Sequence, residues 1–214
     1  MLINELKLEE NLREFKTSKS CFKIFKREIP THSDVFFKKI CKNFTSISCF
    51  INYSKAKSDI KDSFTKVLTP EIMDDPFLNF WLDDVSSICK MYCKFLDEDK
   101  ISFWIGTKRG CKRYHIDMVP FRLLVTYSGQ GTELLPDEAA NRQAFFQGKP
   151  NNEIVKDKSK LRFVNKWDIA VFKGGKEGIL HKTPDNALNE GSSLLMRLDN
   201  SSFLETIRKN NNQD

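Results

Sequence analysis

Long apolar runs are missing from this chain of 214 residues. None approaches the roughly 20 residues a membrane-spanning helix needs, so no membrane partner is expected. Glycine and proline are sparse, at 9 and 7 residues, which excludes a collagen-like or linker-like polymer. Hydrophobic residues at 40 % exclude a wholly disordered chain. No block of lysine and arginine is dense enough for a basic patch. The net charge of +6 falls entirely within residues 1–66, the remainder being balanced. Nucleic acid binding therefore rests on a dilute excess, and a solvated surface of mixed charge is the stronger reading. The first residues, MLINELKLEENLREFK, interleave acids and bases without an apolar signal core, so a cytoplasmic location is expected. Neither a P-loop nor a G-x-S-x-G elbow is present. The six cysteines (21, 41, 49, 89, 93 and 111) are then expected as reduced thiols. Cys89 and Cys93 share a helical face, but no second Cys/His pair accompanies them, which favours small core residues over zinc ligands.

What the chain does have is phenylalanine, 18 residues of it, which predicts an aromatic-rich core. Apolar spacing predicts a helix over 4–16, one over 34–44 capped by Ser33 or Thr31, and one from Pro76 to about Leu96 with Asp75 as N-cap. Stretches 20–25 and 46–53 read as strands. From 101 onward the period shortens. ISFWIGT, the two halves of RYHIDMVPFRLLVTY around Pro120, a short run after SGQGT, WDIAVF, GILHKTP and SSLLMRLD all read as strands. Residues 136–165 are polar and irregular, as in a lid, a binding loop or a disordered insertion. The expected fold is α+β: a double-stranded β-helix, that is a cupin-like jelly roll, with N-terminal helices packed on one sheet. Residues 1–100 would form the helical support, 101–199 the core, and 200–214 a terminal helix opened by Ser202 and Glu205 with a disordered tail.

Histidine is scarce: His32, His115 and His181 are the whole supply. His115 is followed at i+2 by Asp117, and on a strand those two side chains project to one face. His181 closes the run GILH. Two imidazoles and one carboxylate converging from strands make a facial triad suited to Fe(II), with positions left open for O2 and substrate. A buried His–Asp structural pair is the competing reading of the same residues. His32 reads as a surface or capping residue. Cys111 and Arg113 share the alternation face of His115, Cys111 being expected buried. Gly129 and Gly131 serve the turn, and Arg142 reads as a surface residue.

The surrounding order adds a resemblance. CKRYHID, RLLVTYSGQGTELLP, WDIAVF, then His181 with Pro184 resemble the core of prolyl-hydroxylase-like Fe(II)/2-oxoglutarate dioxygenases. Residues 111–199 also look like a bacterial domain family of unknown function, with a Cys-x-basic-aromatic-His-x-Asp core followed by Arg-Leu-Leu-x-Thr-Tyr-x-Gly-x-Gly-Thr-Glu. The resemblance implies His115, Asp117 and His181 as Fe(II) ligands, 2-oxoglutarate as co-substrate, and hydroxylation of a small-molecule or protein substrate. That family carries a base about ten residues after its second histidine, where this chain has Glu190-Gly191-Ser192-Ser193. Arg197 and Arg122 are the candidates for holding the co-substrate, each alternatively an ordinary ion pair with Asp199 or Glu133. Tyr127 and Thr132 are candidates to hydrogen-bond its carboxylate or simply to finish a hairpin. The alternative function is a non-catalytic cupin-like protein holding zinc or nickel in a regulatory or interaction role, the absent base marking a lost co-substrate site.

Overall fold

Residues 5–211 are described by a computed structural model, with side chains from 7 to 206. Five helices occupy the first hundred residues: α1 (Glu5–Thr17), α2 (Ser33–Asn43), α3 (Ala56–Thr65), the single turn α4 (Pro70–Met73) and α5 (Pro76–Leu96). Asp75 caps α5 by accepting from the Phe77 amide, with Pro76 at the first helical position, where its missing N–H is no loss. The N-cap of α2 is neither Ser33 nor Thr31. It is His32, in the left-handed region at φ 68 and without a side-chain hydrogen bond. The hydroxyl pattern misled because a cap depends on backbone conformation, and Ser33 is already helical and buried.

Strands β1 (Phe22–Phe25) and β2 (Ser46–Asn52) come from the same N-terminal region. Then follow β3 (Lys100–Gly106), β4 (Phe121–Ser128), β5 (Glu133–Leu135), β6 (Arg162–Phe163), β7 (Ile169–Lys173), β8 (Leu180–Lys182) and β9 (Leu194–Asn200). Six of them form an antiparallel sheet ordered β1-β7-β4-β9-β3-β2, and three form a second, β6-β5-β8. The result is a mixed fold of helices and antiparallel sheets. The hydrogen-bonded strands do not close into a barrel, so the jelly roll expected from the sequence is not seen as such. Among the described residues no helix is long and apolar enough to cross a membrane.

Strand alternation divides the large sheet into two faces. Leu123, Val125 and Tyr127 of β4, Ile169 and Val171 of β7, Met196 and Leu198 of β9, and Phe103 and Ile105 of β3 face the helices. There they meet Trp81, Val85, Ile88 and Tyr92 of α5 and Phe37 and Ile40 of α2. Aromatics dominate this side, as the phenylalanine count predicts: Phe64 stacks on Trp81 at 4.8 Å, and Phe37 stacks on Tyr127 at 5.5 Å. Cys89 and Cys93 are buried here as core residues. Each fully buried large side chain contributes about 1.5–3 kcal/mol, so the helices clamp this face of the sheet.

The opposite face carries Leu124, Ala170, Phe172 and Leu195, packed with Leu134 of the small sheet and with Val164 and Ile179. Arg122 and Arg197 alternate onto it.

Two expectations change in detail. Residues 136–165 are neither disordered nor irregular. They form α6 (Arg142–Phe146), α7 (Asn151–Ile154), short 3-10 turns and β6. Ala139, Ala144 and Ile154 pack against Leu135 and Leu180 on the outside of the small sheet. Arg142 fastens the segment by donating to Asp137 and to the carbonyls of Lys176 and Gly178. A helix α8 (Ser201–Asn211) follows β9 directly, and residues 212–214 of the tail expected to be disordered lie outside the described residues.

Candidate metal centre

RYHIDMV is not a strand. His115 makes a single antiparallel bridge to His181, each amide donating to the other's carbonyl at 3.0 Å, and Asp117 stands in the loop that follows. The loop returns at Pro120 to β4. Gly174 holds it from below: its amide donates to Pro120 O, and the Gly175 amide donates to Asp117 O. A Cβ at Gly174 would fall 2.0 Å from Val119 O and 2.5 Å from Asp117 O, so only glycine allows this approach. The i, i+2 alternation therefore pointed to the right pair for a reason that does not operate here. A bridge and a glycine-backed loop, not a pleat, bring the two together.

The three side chains converge. Their candidate ligand atoms all lie within 4.8 Å of one another. The rings of His115 and His181 sit 4.3 Å apart, and Nε2 of His181 is 3.4 Å from Asp117 Oδ2. Nε2 of His115 is 4.0 Å from Asp117 Oδ1. In both rings Nδ1 faces a backbone carbonyl, Arg113 O at 3.1 Å and Ile179 O at 3.0 Å. A proton on Nδ1 satisfies each carbonyl and leaves both Nε2 lone pairs turned toward Asp117. Asp117 and His181 are buried and His115 half-buried. Burial lowers the pKa of His181 to about 4, with His115 and Arg122 adding to the effect. His115 moves the other way: burial opposes protonation, but Cys111, the Arg113 carbonyl and the Asp117 carboxylate nearby together outweigh it.

Asp117 Oδ2 is buried and receives no hydrogen bond, while Oδ1 is taken by Arg122. A buried carboxylate oxygen without a donor is costly; it faces the His181 lone pair rather than a proton donor, and the His115 lone pair lies toward Oδ1. A divalent cation answers all three, so the residues present fit a metal ion.

Arg122 donates to both Asp117 and Asp199, the latter at 2.7 Å. The ion-pair alternative is therefore what the structure contains, and Arg122 positions Asp117 rather than waiting for a ligand. Its pKa is raised: burial opposes this, and the two carboxylates prevail. Arg197 is different. Its Nε lies 3.1 Å from Asp199 Oδ2 without hydrogen-bond alignment, and its guanidinium rests between the rings of Trp104 and Phe203 at 5.4 and 5.0 Å. Its terminal nitrogens have no acceptor among the described residues.

Tyr127 is not at the site. It is fully buried on the helix side of the sheet, where its hydroxyl donates to Asp84 at 2.9 Å and Asp84 also pairs with Arg27. Alternation along β4 decides it: Arg122 and Tyr127 are an odd number of residues apart, so they face opposite ways. Thr132 is buried and its hydroxyl accepts from Arg109 at 3.2 Å. Cys111 is exposed, not buried, and Arg113 reaches away to the Lys149 carbonyl. Sequence reasoning passed over Arg109 altogether, because nothing in the polar run TKRGCK signals that one of its bases is buried.

Fold and site together define a helix-backed, two-sheet antiparallel protein with a His-Asp-His cluster at the junction of its sheets. The chain belongs to the family described as protein of unknown function (DUF1826), whose model matches residues 8–199. That match reaches well N-terminal of the 111–199 stretch and takes in the helices. No curated protein matches the chain. Among solved structures it is loosely similar to the Fe(II)/(alpha)ketoglutarate-dependent dioxygenase TqaL, at 9 % identity and TM-score 0.46, covering 92 % of this chain and 88 % of that one. It is also loosely similar to EvdO2 from Micromonospora carbonacea var. aurantiaca complexed with 2-oxoglutarate, at 11 % identity and TM-score 0.39, covering 90 % of each.

Proposed function

We propose that the protein is a non-haem Fe(II) oxygenase that uses 2-oxoglutarate to hydroxylate an organic substrate, on a double-stranded β-helix whose sheets remain open. One observation carries this: two Nε2 atoms, with their tautomer set by backbone carbonyls, face the buried Asp117 carboxylate, that of His181 toward the oxygen that receives no hydrogen bond among the described residues. His115, Asp117 and His181 would hold the ion. Bound there with 2-oxoglutarate, Fe(II) supplies the activation of O2, coupled to loss of CO2 and formation of succinate.

The chain's own residues bind, orient and exclude water. Arg122 fixes the Asp117 carboxylate through one oxygen and leaves the other toward the His181 ring. Phe172, 4.9 Å from the His181 ring, shields that imidazole from solvent together with Leu124 and Leu134. Arg197, flanked by Trp104 and Phe203, offers its terminal N–H groups to the distal carboxylate of 2-oxoglutarate, which a planar fork suits.

The test is anaerobic loading with Fe(II), addition of 2-oxoglutarate and O2, and measurement of succinate. Succinate production that stops in His181→Ala supports the reading. A stoichiometric bound metal with no succinate at any pH favours the non-catalytic metal protein instead. Arg197→Gln is expected to weaken 2-oxoglutarate binding by about tenfold or more while Fe(II) binding holds, which separates the co-substrate from the metal.

A further inference from the structure

Arg109 is 95 % buried, at 5 % exposure, yet no carboxylate among the described residues pairs with it. Its Nη1 donates to Gln130 O at 2.8 Å and its Nη2 to Thr132 Oγ1, both neutral acceptors, and its Nε is buried with no acceptor among the described residues. An uncompensated guanidinium is among the more expensive groups to bury, and burial pulls its pKa down to about 10.

Its location is set by the small sheet. Leu134 stands opposite His181 in the β5–β8 pairing, and Glu133 opposite Lys182. The extended pairing continues to Thr132, whose carbonyl accepts from Val164. Thr132 therefore shares the face of Leu134 and His181. Glu133, the nearest acid in sequence, lies on the other face with Tyr114 and Lys182. Through Thr132, Arg109 thus stands on the face of the small sheet that carries His181 of the candidate metal centre.

The charges around that centre sharpen the point. Arg122 and Arg197 are matched by Asp117 and Asp199. A divalent ion would be matched by the two carboxylates of 2-oxoglutarate. One positive charge remains, on Arg109.

We propose that Arg109, braced by Thr132 and the Gln130 carbonyl, binds the carboxylate of the substrate, so that the substrate class is a carboxylic acid presented as a monoanion. This rests on the oxygenase reading for the neighbouring site, but its readout does not. Arg109 is a binding residue with a free edge formed by Nε and the second N–H of Nη2, a fork that a planar carboxylate fills in bidentate fashion. A dianionic phosphate monoester would leave one negative charge unmatched.

The experiment uses Ni(II)-loaded full-length protein at constant ionic strength. Thermal unfolding midpoints are measured against rising sodium acetate, with sodium chloride and sodium sulfate as comparisons. Acetate is expected to raise the midpoint of wild type and of Arg197→Gln. In Arg109→Gln the half-effect concentration should move up by about tenfold or more, while the midpoint without acetate is unchanged or higher, since a neutral amide still bonds the hairpin. Arg109→Lys should keep a weakened response, having the charge without the fork. A lower starting midpoint in Arg109→Gln together with an acetate response equal to that of wild type would make Arg109 a structural brace and overturn the proposal. Stronger protection by sulfate than by acetate would overturn the monoanion assignment. Failure of wild type to bind Ni(II), with the acetate response intact, would remove the metal reading and leave Arg109 standing.

Discussion

Replacing Tyr127 by phenylalanine is the sharpest test of which face of the large sheet does the chemistry. The ring is fully buried, stacked on Phe37 at 5.5 Å and edge-on to Trp167 at 4.9 Å, and phenylalanine keeps both contacts. Only the hydroxyl goes, and with it the 2.9 Å bond to Asp84. Asp84 is itself buried and retains Arg27, so it loses one of two partners. A hydrogen bond to a charged group contributes about 1.5–3 kcal/mol. For a chain of this length each kcal/mol moves the melting midpoint by about 2–4 °C, so the expected fall is about 3–12 °C. Chemical denaturation should give the same free-energy change with an unaltered slope. Fe(II) binding and 2-oxoglutarate binding, measured calorimetrically under anaerobic conditions, should be unchanged, because the hydroxyl points into the helix layer. A variant with wild-type stability and weakened 2-oxoglutarate binding would refute the assignment of faces. The two-sided reading of β4 would fall with it.

Further consequences are checked by similar means. A divalent ion at a hundred times its dissociation constant should stabilise the wild type by about 2.7 kcal/mol, or about 5–11 °C, and His181→Ala should abolish that gain in a thermal scan. Arg122→Leu leaves Asp117 and Asp199 buried without their shared cation, for which a loss of about 3–5 kcal/mol is expected by urea unfolding; a loss under 1 kcal/mol, as for an exposed pair, would contradict the bridging role. Gly174→Ala forces a methyl group against the Val119 and Asp117 carbonyls, so metal affinity measured by competition with a chelator should drop more than global stability does.

Much of this architecture was legible because it depends on local rules. Asp75-Pro76 announces α5, and the spacing of Trp81, Val85, Ile88 and Tyr92 gives its buried stripe. The strands at 121–128, 169–173 and 194–200 carry the alternation that sorts Arg122 from Tyr127, five residues apart and so on opposite faces. The triad was legible through scarcity: with three histidines, one of them in H-x-D, few arrangements were available. What stayed hidden is long-range. Residues 136–165 look irregular because their order comes from packing on the outside of β5 and β8, contacts that no local period encodes. The sheet edges were equally obscure, since β1 pairs with β7 across more than half the chain.

Arg109 is hidden in a sequence whose candidate metal ligands are plain. A metal ligand is recognised by residue type, because few side chains offer a lone pair of the right kind. An arginine is common, and what makes one functional is the absence of an acid beside it once the chain has folded. Here that absence arises from register. One residue of shift in β5 would turn Glu133 inward and Thr132 outward, placing a carboxylate on the His181 face and giving Arg109 a partner from its own chain. The register observed, Leu134 against His181, sends Glu133 to Tyr114 and Lys182 instead. The same pairing that seats His181 against Asp117 therefore leaves Arg109 without a carboxylate partner among the described residues, and candidate metal site and unpaired base share one structural cause.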